Sequence, residues 1–250
     1  MNCDGFIKFK DVYKAFNSHK VLDGVSIGVC RGETITIIGG SGIGKSVFLK
    51  LLLGVIKPDS GHVFYNGDPV NEMPWNDLRN MRKKIGMLFQ GAALFDSLTV
   101  AENVAYPLRE FFDYPEDKID EIVNEKLKIV GLEGINDMVP SDLSGGMKKR
   151  VGLARAIATN PEVILYDEPT TGLDPANATR ICNLIVNLQE RFKVTSVVVT
   201  HEMQRAFEIS DRLALIHNRN FRFIGTPDEA KSSSDSVVQD FINGKMETGE

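Results

Sequence analysis

The amino-acid sequence predicts an α/β fold: a P-loop core with a mostly parallel central sheet, an antiparallel β subregion near the N-terminus and an inserted α-helical subdomain. Three observations predict it. Short β-branched runs alternate with helical stretches along the 250 residues, as strands and helices do in layered α/β chains. The runs Val163–Tyr166 and Ser196–Val199 are apolar almost without interruption, as strands buried on both faces are. The glycine-rich stretch Gly39–Ser46 lies between apolar Thr34–Ile38 and helical Val47–Leu53, the strand–loop–helix order that a phosphate-binding loop requires.

Taken in order, the expected strands are Phe6–Val12, Val25–Val29, Thr34–Ile38, His62–Tyr65, Ile85–Phe89, Val163–Tyr166, Ser196–Val199 and Arg212–His217. Asn66-Gly67 signals a tight turn between extended segments. From about Ala92 to Asn160 the pattern is mainly helical. Glu116–Val130 carries Ile119, Ile122, Val123, Leu127 and Val130 at three- to four-residue spacing, with Gly131 as the stop. After the serine run 232–234, a last helix is expected over Ser236–Ile242, followed by a frayed tail over Asn243–Glu250. The expected organisation is one domain over residues 1–250. Its α/β core covers about 1–90 and 161–230, its helical subdomain about 91–160, and its C-terminal helix and tail 231–250.

Composition narrows the function. Lys+Arg is 29 against 34 for Asp+Glu, a net charge of −5, which disfavours a broad polyanion-binding surface and nucleic acid as a partner. No apolar run approaches the ~18 residues that a membrane-spanning helix needs. The N-terminus shows no apolar leader of the secretory kind. Cys3, Cys30 and Cys182 are scattered, which predicts reduced thiols. His19, His62 and His217 show no metal-ligand spacing.

Three motifs carry chemistry. Gly39-Gly40-Ser41-Gly42-Ile43-Gly44-Lys45-Ser46 fits G-x-x-x-x-G-K-[ST], a pattern that arises by accident on the order of once in a hundred chains of this length. Its glycines let successive N–H groups converge on phosphate oxygens, and the following helix adds a positive dipole end. Lys45 is expected to reach the β- and γ-phosphates, and Ser46 to ligate Mg²⁺. The strand Val163–Tyr166 ends in Asp167 and Glu168, two acids at the sheet edge where α/β ligands bind. Asp167 suits the Mg²⁺ role, and Glu168 is then placed as the general base for water. Leu143-Ser144-Gly145-Gly146-Met147 opens a helix rich in Lys148, Lys149, Arg150 and Arg155. Ser144 reads as its N-cap, with exposed N–H groups in the two glycines behind it.

With these motifs in place, residues 6–230 resemble the nucleotide-binding subunit of an ABC transporter, with its RecA-like core. The resemblance implies ATP hydrolysis, with ATP and Mg²⁺ bound across Gly39 to Val47, and further residue roles. Phe16 falls where the family stacks an aromatic on adenine; tyrosine is commoner there, so the hydroxyl is lost and the π-face kept. Gln90 matches the Q-loop glutamine that touches Mg²⁺ and water. Ser144, Gly145 and Gly146 match the signature motif, Asp174 the D-loop, and His201 the switch histidine at the γ-phosphate. The family arrangement also implies a homodimer in which the signature motif of one copy closes on ATP held by the other.

Two segments, Gly86–Glu110 and Leu143–Pro175, are most similar to the ATPase of Mla-type, Mce-associated lipid transport systems. That resemblance implies phospholipid movement between inner and outer membranes, which maintains outer-membrane lipid asymmetry. It also implies a place on the cytoplasmic face of the inner membrane and a separate integral membrane permease. A small regulatory subunit and a periplasmic Mce-type lipid-binding protein are further candidate partners. The permease is expected to dock near Gln90 on apolar residues such as Leu94, Phe95 and Leu98. The alternatives are the ATPase of another ABC importer or exporter, a soluble ABC ATPase of DNA repair, chromosome structure or translation, and a P-loop kinase or GTPase.

Overall fold

The structure, a computed structural model, describes residues 5–40 and 42–245. Its strands are β1 (Ile7–Phe16), β2 (His19–Val29), β3 (Thr34–Ile38), β4 (Ser60–Tyr65), β5 (Asp68–Pro69), β6 (Ile85–Leu88), β7 (Val163–Asp167), β8 (Thr195–Thr200), β9 (Arg212–His217) and β10 (Asn220–Gly225). Its α-helices are α1 (Lys45–Leu52), α2 (Trp75–Arg82), α3 (Val100–Phe111), α4 (Glu116–Ile129), α5 (Gly145–Ile157), α6 (Pro175–Phe192), α7 (Met203–Ile209), α8 (Pro227–Lys231) and α9 (Ser236–Ile242). The chain divides into two compact units, one of residues 1–79 and 195–250, the other of residues 80–194.

The first unit holds two sheets. One is antiparallel, in the order β2-β1-β4-β5, with Ile7 opposite both Val29 and Tyr65. In the other, β3 pairs in parallel with β8 and with β9, placing Ile37 beside Val199 and Ala214, and β10 pairs antiparallel to β9. All five residues of β3 are buried, which is why its sequence is apolar apart from two threonines. Thr36 accepts a hydrogen bond from Ser210 at 2.6 Å, so its hydroxyl is not left dry. Helix α1 buries Phe48 and Leu49, and the Phe48 ring stacks on Phe9 of β1. The C-terminal helices belong to this core: Ala230 and Val238 pack with Ile38, Leu213 and Leu215, and Phe241 and Ile242 lie against them.

The second unit is built on the parallel pair β6–β7, with Gly86 beside Ile164, and on helices α3 to α6. Helix α5 is buried on most of its circumference, at Val151, Gly152, Leu153, Ala154, Ala156 and Ile157, because α3, α4 and α6 all pack on it. Helix α6 buries a single stripe, Ala178, Ile181, Cys182, Ile185 and Leu188. Asp174 caps its first turn and Pro175 opens it.

The thiols correct one expectation. Cys182 is free and buried, but Cys30 is disulfide-bonded. Disulfide partners are set by proximity in space, which spacing along the sequence does not show. Cys3, Ser41 and residues 246–250 of the expected tail lie outside the described residues.

Candidate functional site

The motif residues fall into two sets, one in each unit. In the first unit, β3 ends at Ile38 and the loop runs into α1 at Lys45. Gly44 caps that helix with φ 101°, in the region where L side chains are strained. A side chain there would also strike Val21. Lys45 is 7% exposed, and its Nζ donates to the carbonyls of Gly39 and Gly40 at 2.8 Å each. A buried ammonium needs such partners, and phosphate oxygens are stronger acceptors for it than peptide carbonyls. Ser46 and Val47 follow, half-buried, in the first turn of α1, and Gly42 is exposed. Phe16 ends β1 with 45% of its surface exposed, and Lys14 Nζ stands 5.4 Å from its ring centre. An exposed aromatic face beside a cation is free to take a flat heterocycle. His201 is exposed just beyond β8.

In the second unit, Asp167 closes β7, half-buried, and Glu168 follows, 8% exposed. Glu168 has φ 48°, a left-handed conformation that costs a non-glycine residue about 1–2 kcal/mol. Two side chains hold it there. Thr171 donates its hydroxyl to Glu168 Oε2 at 3.1 Å, and Lys149 of α5 donates to the Glu168 carbonyl at 3.0 Å. Strain of this kind, over-determined by its surroundings, gathers at reactive positions.

Ser144 caps α5, its hydroxyl accepting from Met147 N at 3.3 Å. Asp174 caps α6, accepting from Ala176 N and Asn177 N at 3.1 Å, while Asn177 Nδ2 donates to its other oxygen at 2.5 Å. The Asn177 bond, with the cap N–H groups, holds the Asp174 carboxyl below the ordinary aspartate range. The two caps lie side by side. A Cβ placed on Gly145 would meet Leu173 Cδ2 at 3.8 Å, and one on Gly146 would fall 2.5 Å from Asn177 Cγ.

Gln90 is exposed two residues beyond β6. Beyond Gly91, Ala92 and Ala93 adopt φ 60° and 49°. Arg155 of α5 donates to the carbonyl oxygens of Ala92 at 2.6 Å and Ala93 at 2.7 Å. Burial pushes the Arg155 pKa below its ordinary value. Asn103, fully buried, holds the rest of the segment: its amide bonds Phe95 N, Phe95 O, Leu98 O and Thr99 O at 2.8 to 3.2 Å. Leu94 and Leu98 are half-buried there, and Phe95 is 42% exposed beside Tyr106.

Sequence reasoning took the cations of α5 as a basic face. Three of them instead serve main-chain carbonyls: Lys149 at Glu168, Arg150 at Val130 and Gly131, and Arg155 at Ala92 and Ala93. Lys149, Asn103, Thr171 and Asn177 were missed as positioning residues. Only Asn177 had a local signal, three residues after a capping aspartate.

The chain matches the family model described as ABC transporter over residues 22–171. It is 39% identical to the intermembrane phospholipid transport system ATP-binding protein MlaF of Haemophilus influenzae, across 91% of this chain and 86% of the relative. It is 37% identical to a probable ribonucleotide transport ATP-binding protein, mkl, of Mycobacterium leprae, across 96% of this chain and 69% of the relative. A dimeric, post-hydrolysis structure of an ATP-binding cassette bound to ADP and phosphate superposes with a TM-score of 0.82 at 32% identity, covering 88% of this chain and 98% of that one. The expected α/β fold and the ATPase identity are therefore borne out: this chain is an ATP-binding cassette of the ABC transporter family, an ATPase whose hydrolysis is coupled to transport.

Proposed function

We propose that this cassette powers phospholipid movement between two membranes as the ATPase of an Mla-type system. The support is the near full-length likeness to a protein named for that transport. The similar identity to a relative named for ribonucleotide transport makes nucleotide export or import the second reading. The proposed cassette is a single domain whose helical part, about residues 91–160, faces a separate permease. Among the described residues no helix is long and apolar enough to cross a membrane. In the proposed assembly the permease supplies the spans and the cassette sits on the cytoplasmic face of the inner membrane. A regulatory subunit and a periplasmic Mce-type protein complete the proposed assembly.

We assign the roles as follows. Phe16 stacks on adenine, and the loop from Gly39 through Ser41 to Val47 wraps the phosphates. Lys45 moves its ammonium from the Gly39 and Gly40 carbonyls to the β- and γ-phosphates. Ser144, Gly145 and Gly146 of a second copy present helix-start N–H groups to the same triphosphate, where preorganised donors stabilise developing charge. Two copies related by a two-fold axis then carry two equal sites. Glu168 takes the proton of the attacking water, and His201 holds the γ-phosphate. Asp174 shapes the turn that meets the other copy.

Mg²⁺ fits the donor chemistry. Ser46, Gln90 and Asp167 offer hard oxygens, and among the described residues no His/Cys/Asp/Glu group could hold a metal unaided, so the ion would come with the nucleotide. When bound it neutralises phosphate charge.

The single observation that carries the hydrolytic reading is Glu168, buried and held in a left-handed conformation by Thr171 and Lys149. Glu168→Gln is expected to keep ATP binding, to slow hydrolysis about a hundredfold or more, and to trap an ATP-bound dimer. Lys45→Ala is expected to lose most of the binding. Turnover assays with equilibrium ATP binding check both, and near wild-type hydrolysis by Glu168→Gln removes Glu168 as the base.

A further inference from the structure

The caps of α5 and α6 are packed closer than either needs to be for its own helix. Ser144 satisfies the start of α5 and Asp174 the start of α6. Neither function requires the Asn177 side chain, yet its amide is bonded on one side and leaves no room on the other. Nδ2 donates to Asp174 Oδ2 at 2.5 Å, and Cγ lies 2.5 Å from where a Cβ of residue 146 would stand. Asparagine has only two rotatable bonds, and this one is anchored in the first turn of a helix. It cannot yield to a methyl group at 146 without giving up the Asp174 bond. Gly146 itself is helical and carries no positive φ, so its backbone conformation does not call for glycine.

We infer that Asn177 is a positioning residue that locks the Asp174 turn to the first turn of α5, and that residue 146 is glycine because Asn177 occupies the space of its side chain. The two turns then form one preset surface. Asn177 against Gly146 sets their spacing, so the N–H groups of α5 and the Asp174 turn reach a second copy in register. This deepens the proposed composite site and rests on it.

The test compares Gly146→Ala, Asn177→Ala and the double substitution in the full chain, by steady-state ATP hydrolysis and thermal unfolding. Gly146→Ala is expected to lower kcat about tenfold or more while KM changes less than about twofold, because Lys45 and its loop are untouched. Asn177→Ala should lower kcat about two- to fivefold. The double should return to within about threefold of Asn177→Ala, since the second change makes room for the first. A double no faster than Gly146→Ala overturns the proposal, and so does a Gly146→Ala chain with wild-type kcat. If Gly146→Ala does not fold, the unfolding midpoint carries the same test: Asn177→Ala must restore it, and no restoration overturns the proposal. Glu168→Gln, run alongside, separates the two ideas. A Glu168→Gln chain that binds ATP but traps no dimer defeats the composite-site reading, while the unfolding midpoints of the Gly146/Asn177 set still decide whether the two turns are locked.

Discussion

Arg155 is a half-buried cation committed to two peptide carbonyls. Its planar fork meets Ala92 O and Ala93 O together, and both alanines sit at positive φ. The two bonds offset the cost of that backbone, which runs straight on from Gln90. Arg155→Lys keeps the charge but not the fork. It is expected to lower stability by about 1–3 kcal/mol, measured by urea unfolding. Asp174 gives a pH dependence of known sign. Asn177 and the cap N–H groups depress its pKa, so its contribution to stability is complete above the unfolded value and is lost as pH falls through the folded one. The difference in melting temperature between wild type and Asp174→Ala should hold steady from neutrality to about pH 4 and shrink below it.

At the scale of elements, the segment from Ala92 to Thr99 has no regular structure but is pinned at one end by Arg155 and at the other by Asn103. It is a rigid platform that carries Leu94 and Phe95 beside Gln90. If the permease docks there, Leu94→Ala and Phe95→Ala should lose permease co-purification while the isolated chain still binds ATP. Normal co-purification and transport in both variants reject the docking. This platform was not legible in the sequence, because Arg155 and Asn103 act on it from 62 and 8 residues away in the chain. The strands were more legible. Thr34–Ile38 and Arg212–His217 have the bounds expected, since β3 is buried throughout and β9 is buried from Leu213 to Ile216. Strands β1 and β2 run further than expected because register shifts between Phe9 and Ala15 let the pair continue past its apolar stretch. Helix α6 was missed although Asp174, Pro175 and the stripe from Ala178 to Leu188 spell out a capped amphipathic helix. Helices α7 and α8 have seven and five residues, too short to show a period. Of the site, the motif residues were legible because phosphate chemistry restricts which residues can serve. Their supports were not, because a lysine or asparagine bonding a carbonyl leaves no pattern.

For the whole molecule, the family match ends at residue 171, but the first unit resumes at residue 195. β3 finds both of its neighbours, β8 and β9, only there, and α8 and α9 close the core over Ile38 and Leu215. A fragment of residues 1–171 is therefore expected to lack a cooperative melt and to bind ATP far more weakly than the full chain, as calorimetry and nucleotide titration would show. The full chain's behaviour in either assay would refute this. The same layout sets an order on the ribosome. Residues 80–194 are contiguous and their β6–β7 pair and helices are all translated before residue 195, so the middle of the protein can begin to settle first. The glycine loop, translated much earlier, must wait beside an unpaired β3 until more than two hundred residues have been made.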